Sequence, residues 1–133
     1  MEKQNSGKDL EGLLVVTVEQ AVAAPYTSCR LADAGARVIK VERPEGDFAR
    51  NYDSNALGNS AYFVWLNRGK ESIALDLKNS EDFKIFENII SKSDILIQNL
   101  APGAFDRLGL NLDEYDGGED DGGDIEYSSP FPK

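Results

Sequence analysis

The continuous apolar run GLLVVTV, at Gly12–Val18, is the sequence feature that most constrains the fold. A short run this rich in valine is typical of a strand buried on both faces, as in a parallel sheet. A helical segment follows, with Pro25 in its first turn and Gly35 at its end, and then a second apolar strand at Arg37–Glu42. Strand, helix and strand in this order predict a parallel, right-handed βαβ unit.

The alternation continues after a polar loop at residues 44–59. A helix is predicted at Ser60–Lys70 and a strand at Ser72–Leu77. A further helix is predicted after a cap at Asn79 or Ser80, and a last strand at Asp94–Leu100. A loop that enters a short helix follows. Strands that alternate with helices predict an α/β protein, with an open parallel sheet and flanking helices.

Several apolar side chains of the helices are predicted to lie in the core. Tyr62, Phe63 and Trp65 stand among apolar residues, and Cys29 lies inside the first helix, where inert packing is the usual role. In the third helix the core face consists of Phe83, Phe86, Ile89 and Ile90.

Composition excludes several classes of site. The chain has no histidine and only one cysteine, which excludes a histidine-dependent triad, histidine-ligated metals and an internal disulfide. No metal site is therefore expected, and a reducing cytoplasm is the simplest setting. There is no run of about 18 apolar residues and no apolar signal core at the N-terminus, so neither a membrane span nor secretion is expected.

The net charge of −10 argues against binding to nucleic acids. Much of that charge lies in residues 113–133, which contain eight acidic residues and one lysine. We expect this tail to be disordered, because it has few apolar residues to bury. The rest of the chain is closer to neutral and can hold a basic pocket.

Ligands of open α/β sheets bind beyond the carboxyl ends of the strands. Arg43 stands at such an end and can hold a phosphate, although an ion pair with Glu42, Glu45 or Asp47 is the simpler interpretation. Glu42 resembles a ribose-binding acid. The turn EQAVAAPY after the first strand lacks the glycines of a dinucleotide site, however, so NAD binding is only weakly indicated.

Two further cations, Lys78 and Arg107, are each ordinary surface charges when taken alone. If they met Arg43 at one edge of the sheet they would suit a polyphosphate, which needs distributed positive charge. Asn99 ends the last strand, where an amide equally suits ligand binding or fixing a turn.

Four blocks of sequence closely resemble the N-terminal part of class III CoA-transferases, the CaiB/BaiF group. They are LEGLLVVTVEQAVAAPY, LADAGARVIKVERPEGDFAR, NRGKESIALDLK and SDILIQNLAPGAFDRLGL, in order from Leu10 to Leu110. The resemblance implies a Rossmann-like region at residues 10–112, between a flexible N-terminus at 1–9 and the acidic tail. The same resemblance implies that this region is the truncated N-terminal part of the family's large domain.

The ligand that the resemblance implies is coenzyme A, with an acyl-CoA and a small carboxylic acid as substrates. Arg43 would contact its nucleotide part. The other CoA-contacting residues that the resemblance implies are Gln20, Ala21, Val22, Ala23, Leu75, Lys78, Asn99, Leu100, Arg107 and Leu108. The segments EQAVAAP and FVWLNRGKES resemble those of family members that use small dicarboxylates such as mesaconate or itaconate.

The family reaction moves CoA from a thioester to a carboxylic acid through attack by an aspartate. Family members are about three times longer, and their nucleophilic aspartate and second domain follow the part that this chain resembles. We therefore expect an N-terminal fragment with no catalytic residue and little activity, and doubtful formation of the family's interlocked homodimer. Racemase relatives remove a proton beside the thioester on the same fold. The alternatives are a non-catalytic module that binds CoA or nucleotides, and an interaction fragment with exposed sheet edges.

Overall fold

The computed structural model describes residues 7–110, which form a four-stranded parallel sheet in the order β3–β2–β1–β4. The strands are β1 Leu14–Val18, β2 Arg37–Glu42, β3 Lys70–Ala74 and β4 Ile95–Gln98. The helices are α1 Ala23–Asp33, α2 Ala61–Asn67 and α3 Ser80–Ile90, with short 3-10 helices at Phe48–Asn51 and Asp106–Leu108. The predicted open parallel sheet with flanking helices is confirmed.

The central strand β1 carries core residues on both of its faces. Val16 packs in one cluster with Phe86 and Ile90 of α3, whereas Val15 packs in another with Ala24 of α1. Both valines are fully buried. The apolar run therefore reflects a strand that lies between two others and is covered by helices from both sides.

The ends of α1 and α3 follow from local sequence. Pro25 lies in the first turn of α1, and the chain leaves that helix through Gly35 at a φ of 108°. A side chain at position 35 is excluded, because its Cβ would lie 2.6 Å from the Cβ of Lys8. The Asn79 side chain accepts hydrogen bonds from the backbone of Glu81 and Asp82, which confirms the predicted cap of α3.

The boundaries predicted for α2 and β3 are wrong. The chain leaves α2 through Gly69 at a φ of 76°, and pairing with β2 begins at once, with Lys70 opposite Val38. The strand is therefore over at Ala74, because Asp76 already starts the turn that leads into α3. As a result, Leu75 and Lys78 follow the strand instead of ending it.

The prediction that Tyr62 and Trp65 lie in the core is also wrong, since both rings are about half exposed. Helix α2 has only seven residues and buries Leu66. The two outward rings continue a row with Tyr52 and Tyr26, in which neighbouring ring centres are 5.7–6.2 Å apart. By contrast, Cys29 is buried as predicted.

A buried cluster of four charged side chains ties three strands together. Lys40 of β2 donates to Asp47 at 2.7 Å, and Lys70 of β3 donates to Glu19, just after β1, at 2.7 Å. Lys40 also lies 3.6 Å from Glu19. These side chains are at most 2% exposed. Two positive and two negative charges balance, which is what makes such burial tolerable.

Neutral groups complete the hydrogen bonding of the cluster. The Asn67 side-chain oxygen accepts from Lys40 at 2.9 Å and from Lys70 at 3.1 Å, and Ser28 donates to Glu19. Burial lowers the pKa of Lys70, and its attraction to Glu19 opposes that effect. The cluster thus links the end of β1 to β2 and to the start of β3.

A second ion pair organises the loop after β2. Arg50 donates to both carboxylate oxygens of Glu42, at 2.8 and 2.7 Å, and the Ser72 hydroxyl and the backbone N–H of Asp47 also donate to it. Burial raises the pKa of Glu42. The hydrogen bonds, led by Arg50 and Ser72, outweigh that effect and hold the pKa at about 2.

We expect the Glu42→Gln variant to be less stable than the wild type at neutral pH, by about 3 kcal/mol. The pKa of Glu42 falls from 4.5 to about 2 on folding, so its contribution is complete above pH 4.5 and is lost as the pH approaches 2. The difference between the two proteins should therefore shrink over that range. Urea unfolding followed by the fluorescence of Trp65, the single tryptophan, measures it.

The control is Glu71→Gln, which breaks an ion pair with Arg37 in which both side chains are more than half exposed. Its effect on the free energy of unfolding should stay below about 1 kcal/mol. A destabilisation by Glu42→Gln that did not change between pH 7 and pH 3 would contradict the assignment.

Candidate functional site

A cleft of about 640 Å³ lies at the carboxyl ends of the strands. The residues after β1, β2 and β3 form most of its wall, and Leu100 and Leu108 close it on the β4 side. This is the edge at which open α/β sheets bind ligands.

The structure brings some of the predicted contact residues together and leaves others outside. Those that line the cleft are Gln20, Arg43, Leu75, Lys78, Leu100 and Leu108. Those that do not line it are Ala21, Val22, Ala23, Asn99 and Arg107.

Arg43 reaches the cleft with its side chain partly fixed. Its Nε donates to the backbone oxygen of Gly46 at 2.9 Å, and its guanidinium lies 3.8 Å from the ring centre of Phe48. Within residues 7–110 it forms no ion pair, so the interpretation of Arg43 as the partner of Glu42, Glu45 or Asp47 is not supported. The two terminal nitrogens have no partner there and can donate to an anion.

Lys78 provides the second cation of the cleft. Its backbone N–H donates to Asp76 at 3.1 Å, whereas its ammonium group has no partner among the described residues. Arg107 instead lies beside Gly103, outside the cleft wall. Two of the three expected cations therefore share the cleft.

Asn99 fixes the turn after β1. Its side-chain nitrogen donates to the backbone oxygen of Gln20, and its side-chain oxygen accepts from the backbone N–H of Gln20, both at 2.9 Å. Of the two roles left open by the sequence, the structure shows the turn-fixing one.

The carboxylates of the cleft are mostly engaged within the protein. Glu19 and Asp47 hold the buried lysines, Glu42 holds Arg50, and Asp76 accepts from the backbone of Lys78. Glu42 is therefore occupied by an arginine and a serine of the chain itself, which contradicts the ribose-binding hypothesis.

Sequence reasoning missed the roles of Glu19, Lys40, Asp47 and Lys70. One signal was present: Lys40 stands in the middle of the apolar strand RVIKVE, and a lysine in a covered strand requires a buried carboxylate. The identity of that carboxylate was not accessible, because it depends on how the loop after β2 folds back.

The described residues show two further absences. No group of acidic, histidine or cysteine side chains among residues 7–110 is arranged to hold a metal ion. In the same part of the chain, every helix is too short or too polar to cross a bilayer.

Comparison with known proteins gives consistent results. The model of CoA-transferase family III matches residues 10–116. An acetyl-CoA:oxalate CoA-transferase of Acetobacter aceti is 44% identical over 105 residues, covering 78% of this chain and 27% of that protein. A human succinyl-CoA:glutarate CoA-transferase is 35% identical over 114 residues, covering 84% of this chain and 26% of that protein.

Solved structures show the same likeness. A CaiB/BaiF family protein from Brucella suis superposes with a TM-score of 0.73 at 35% identity, covering 81% of this chain and 30% of that one. A hypothetical protein from Mycobacterium tuberculosis gives a TM-score of 0.74 at 34% identity, with the same coverage.

The chain spans about a quarter of the length of the curated relatives it matches. The family model nevertheless covers most of the chain, and the matched residues include every strand and helix described above. Fold, cleft position and sequence agree, and the chain belongs to CoA-transferase family III.

Proposed function

We propose that this chain supplies the CoA-binding part of a class III CoA-transferase that moves CoA from an acyl-CoA thioester to a small dicarboxylate. The observation that carries the proposal is the pair of cationic groups, on Arg43 and Lys78, that form no ion pair among residues 7–110 and lie in one cleft at the carboxyl ends of the sheet. CoA is a polyphosphate and needs such charges at the rim.

The cleft suits the two halves of CoA. Arg43 follows β2 and Lys78 follows β3, so both cations lie on one side of the site and can hold phosphates. Leu75, Leu100 and Leu108 offer apolar surface to the adenine and to the uncharged arm.

A dicarboxylate as CoA acceptor is supported by the relatives. The names of the similar proteins specify oxalate, glutarate, mesaconate and malate. The chemistry common to those acceptors is a small acid with two carboxylates. We extend that class, and no single member of it, to the protein that contains this segment.

A second candidate is a non-catalytic module that binds CoA without turnover. It is favoured by the state of the cleft carboxylates, since Glu19, Glu42 and Asp47 are held by cations and cannot attack a thioester. A CoA-transferase therefore needs a nucleophile other than these three carboxylates.

We expect the purified chain to bind CoA in calorimetric titration, and Arg43→Ala and Lys78→Ala each to weaken that binding about tenfold or more, because each removes a charge-assisted contact. Arg30→Ala is the matched control, since Arg30 is an exposed cation on α1, outside the cleft, and should leave the affinity unchanged. A wild-type chain that released no heat with CoA would overturn the proposed binding site.

We also expect the chain alone to form no new thioester when it is incubated with succinyl-CoA and oxalate, glutarate or mesaconate. Most of the carboxylates that line the cleft, among them Glu19, Glu42 and Asp47, are held by cations, so we expect the described residues to bind CoA without supplying the attacking group. Thioester products are measured by chromatography against a heat-treated control. Product above that control would reject the non-catalytic module and would place a working nucleophile in this chain.

A further inference from the structure

Ala21 has a backbone conformation that L-amino acids avoid. Its φ is 67°, and Leu57 is the only other non-glycine residue with a positive φ among residues 7–110. The left-handed region costs an alanine about 1 kcal/mol or more. Such a conformation persists only where surrounding contacts impose it, and it is often found beside binding sites.

Two side chains hold the backbone around Ala21. The N–H of Ala21 donates to Oδ1 of Asp47 at 3.1 Å, and Asn99 holds both backbone groups of Gln20. Asp47 is itself immobilised, since Lys40 donates to its Oδ2 at 2.7 Å and the backbone N–H of Ala49 donates to its Oδ1 at 2.9 Å. The strained residue is thus connected to the buried charge cluster through one carboxylate.

We propose that the Lys40–Asp47 pair is a positioning device: it holds the Gln20–Ala21 backbone in the conformation that receives the uncharged, acyl-bearing arm of CoA. The inference rests on the proposed function. It assigns these two residues no contact with the ligand, because both side chains are almost completely buried.

The arrangement of the strands explains why the Lys40–Asp47 pair would influence binding of the uncharged arm of CoA and not binding of its nucleotide part. Lys78 and Arg43 follow β3 and β2, so the phosphates lie over that half of the β3–β2–β1–β4 sheet. Gln20 and Leu100 line the other half, beyond β1 and β4, where none of the described residues of the cleft wall is a lysine or an arginine. A ligand with phosphates at one end therefore directs its uncharged end toward Gln20.

Asp47→Asn tests the device with almost no change in volume. An asparagine must present its NH₂ group either to the Lys40 ammonium or to the N–H groups of Ala21 and Ala49. With the NH₂ group toward Ala21 and Ala49, the hydrogen bond that supports the Ala21 conformation is lost. With it toward Lys40, that hydrogen bond remains, but the ion pair that immobilises the side chain is lost. Ala21 can relax to a negative φ, which moves the Gln20 backbone away from the arm.

The experiment compares CoA with 3′-phospho-ADP, the nucleotide end without the arm, by calorimetric titration of the full chain. Asp47→Asn should weaken CoA binding about five- to tenfold and change 3′-phospho-ADP binding less than about twofold. Arg37→Gln is the control, because it breaks an exposed ion pair near the opposite end of β2 and should change neither affinity.

The double variant Asp47→Asn/Ala21→Gly gives a readout that general destabilisation cannot mimic. Glycine adopts a φ of 67° without strain, so it should recover part of the lost CoA affinity although the carboxylate is absent. If Asp47→Asn does not fold, Ala21→Pro replaces it, because proline removes the N–H and forces a negative φ. Ala21→Pro should weaken CoA binding selectively in the same way.

The outcomes separate the two proposals. A wild-type chain that binds neither CoA nor 3′-phospho-ADP overturns the proposed function. A wild-type chain that binds both, with variants that weaken both equally or neither, overturns only the positioning role. Absence of rescue by Ala21→Gly also counts against that role.

Discussion

The buried ion pair between Lys40 and Asp47 is the interaction on which the ligand-binding edge of this sheet depends. It joins β2 to the loop that follows it, and Glu19 and Lys70 extend it to β1 and β3. Removal of one partner from such a pair leaves a buried charge uncompensated, at a cost of about 3–5 kcal/mol. The three strands are thereby held in register with one another.

Charge balance in the interior also determines what an approaching ligand encounters. The buried lysines and carboxylates largely cancel, and Glu42 is neutralised by Arg50. The field at the cleft therefore depends chiefly on charged groups that form no ion pair within the described part of the chain, among them Arg43 and Lys78. A chain with a net charge of −10 can present a locally attractive surface to phosphates because its structural charges are paired within the fold.

The architecture could be predicted from the sequence because the apolar run of β1, the proline and glycine at the ends of α1 and the Asn79 cap are local signals. The exposure of Tyr62 and Trp65 could not, since the orientation of a seven-residue helix depends on the neighbours it packs against. The cleft edge was predictable from strand ends. The partner of Lys40 was not, because the loop after β2 determines it.

The buried cluster has a consequence for the order of events in folding. Its members are far apart in the chain, since Glu19 and Lys70 are separated by 51 in sequence number, so the cluster is complete only when β1, β2 and β3 have already aligned. Interactions that form after the rate-limiting step slow unfolding and have little influence on the rate of folding. The buried cluster would then mainly slow unfolding, and so lengthen the lifetime of the native state once the strands have aligned.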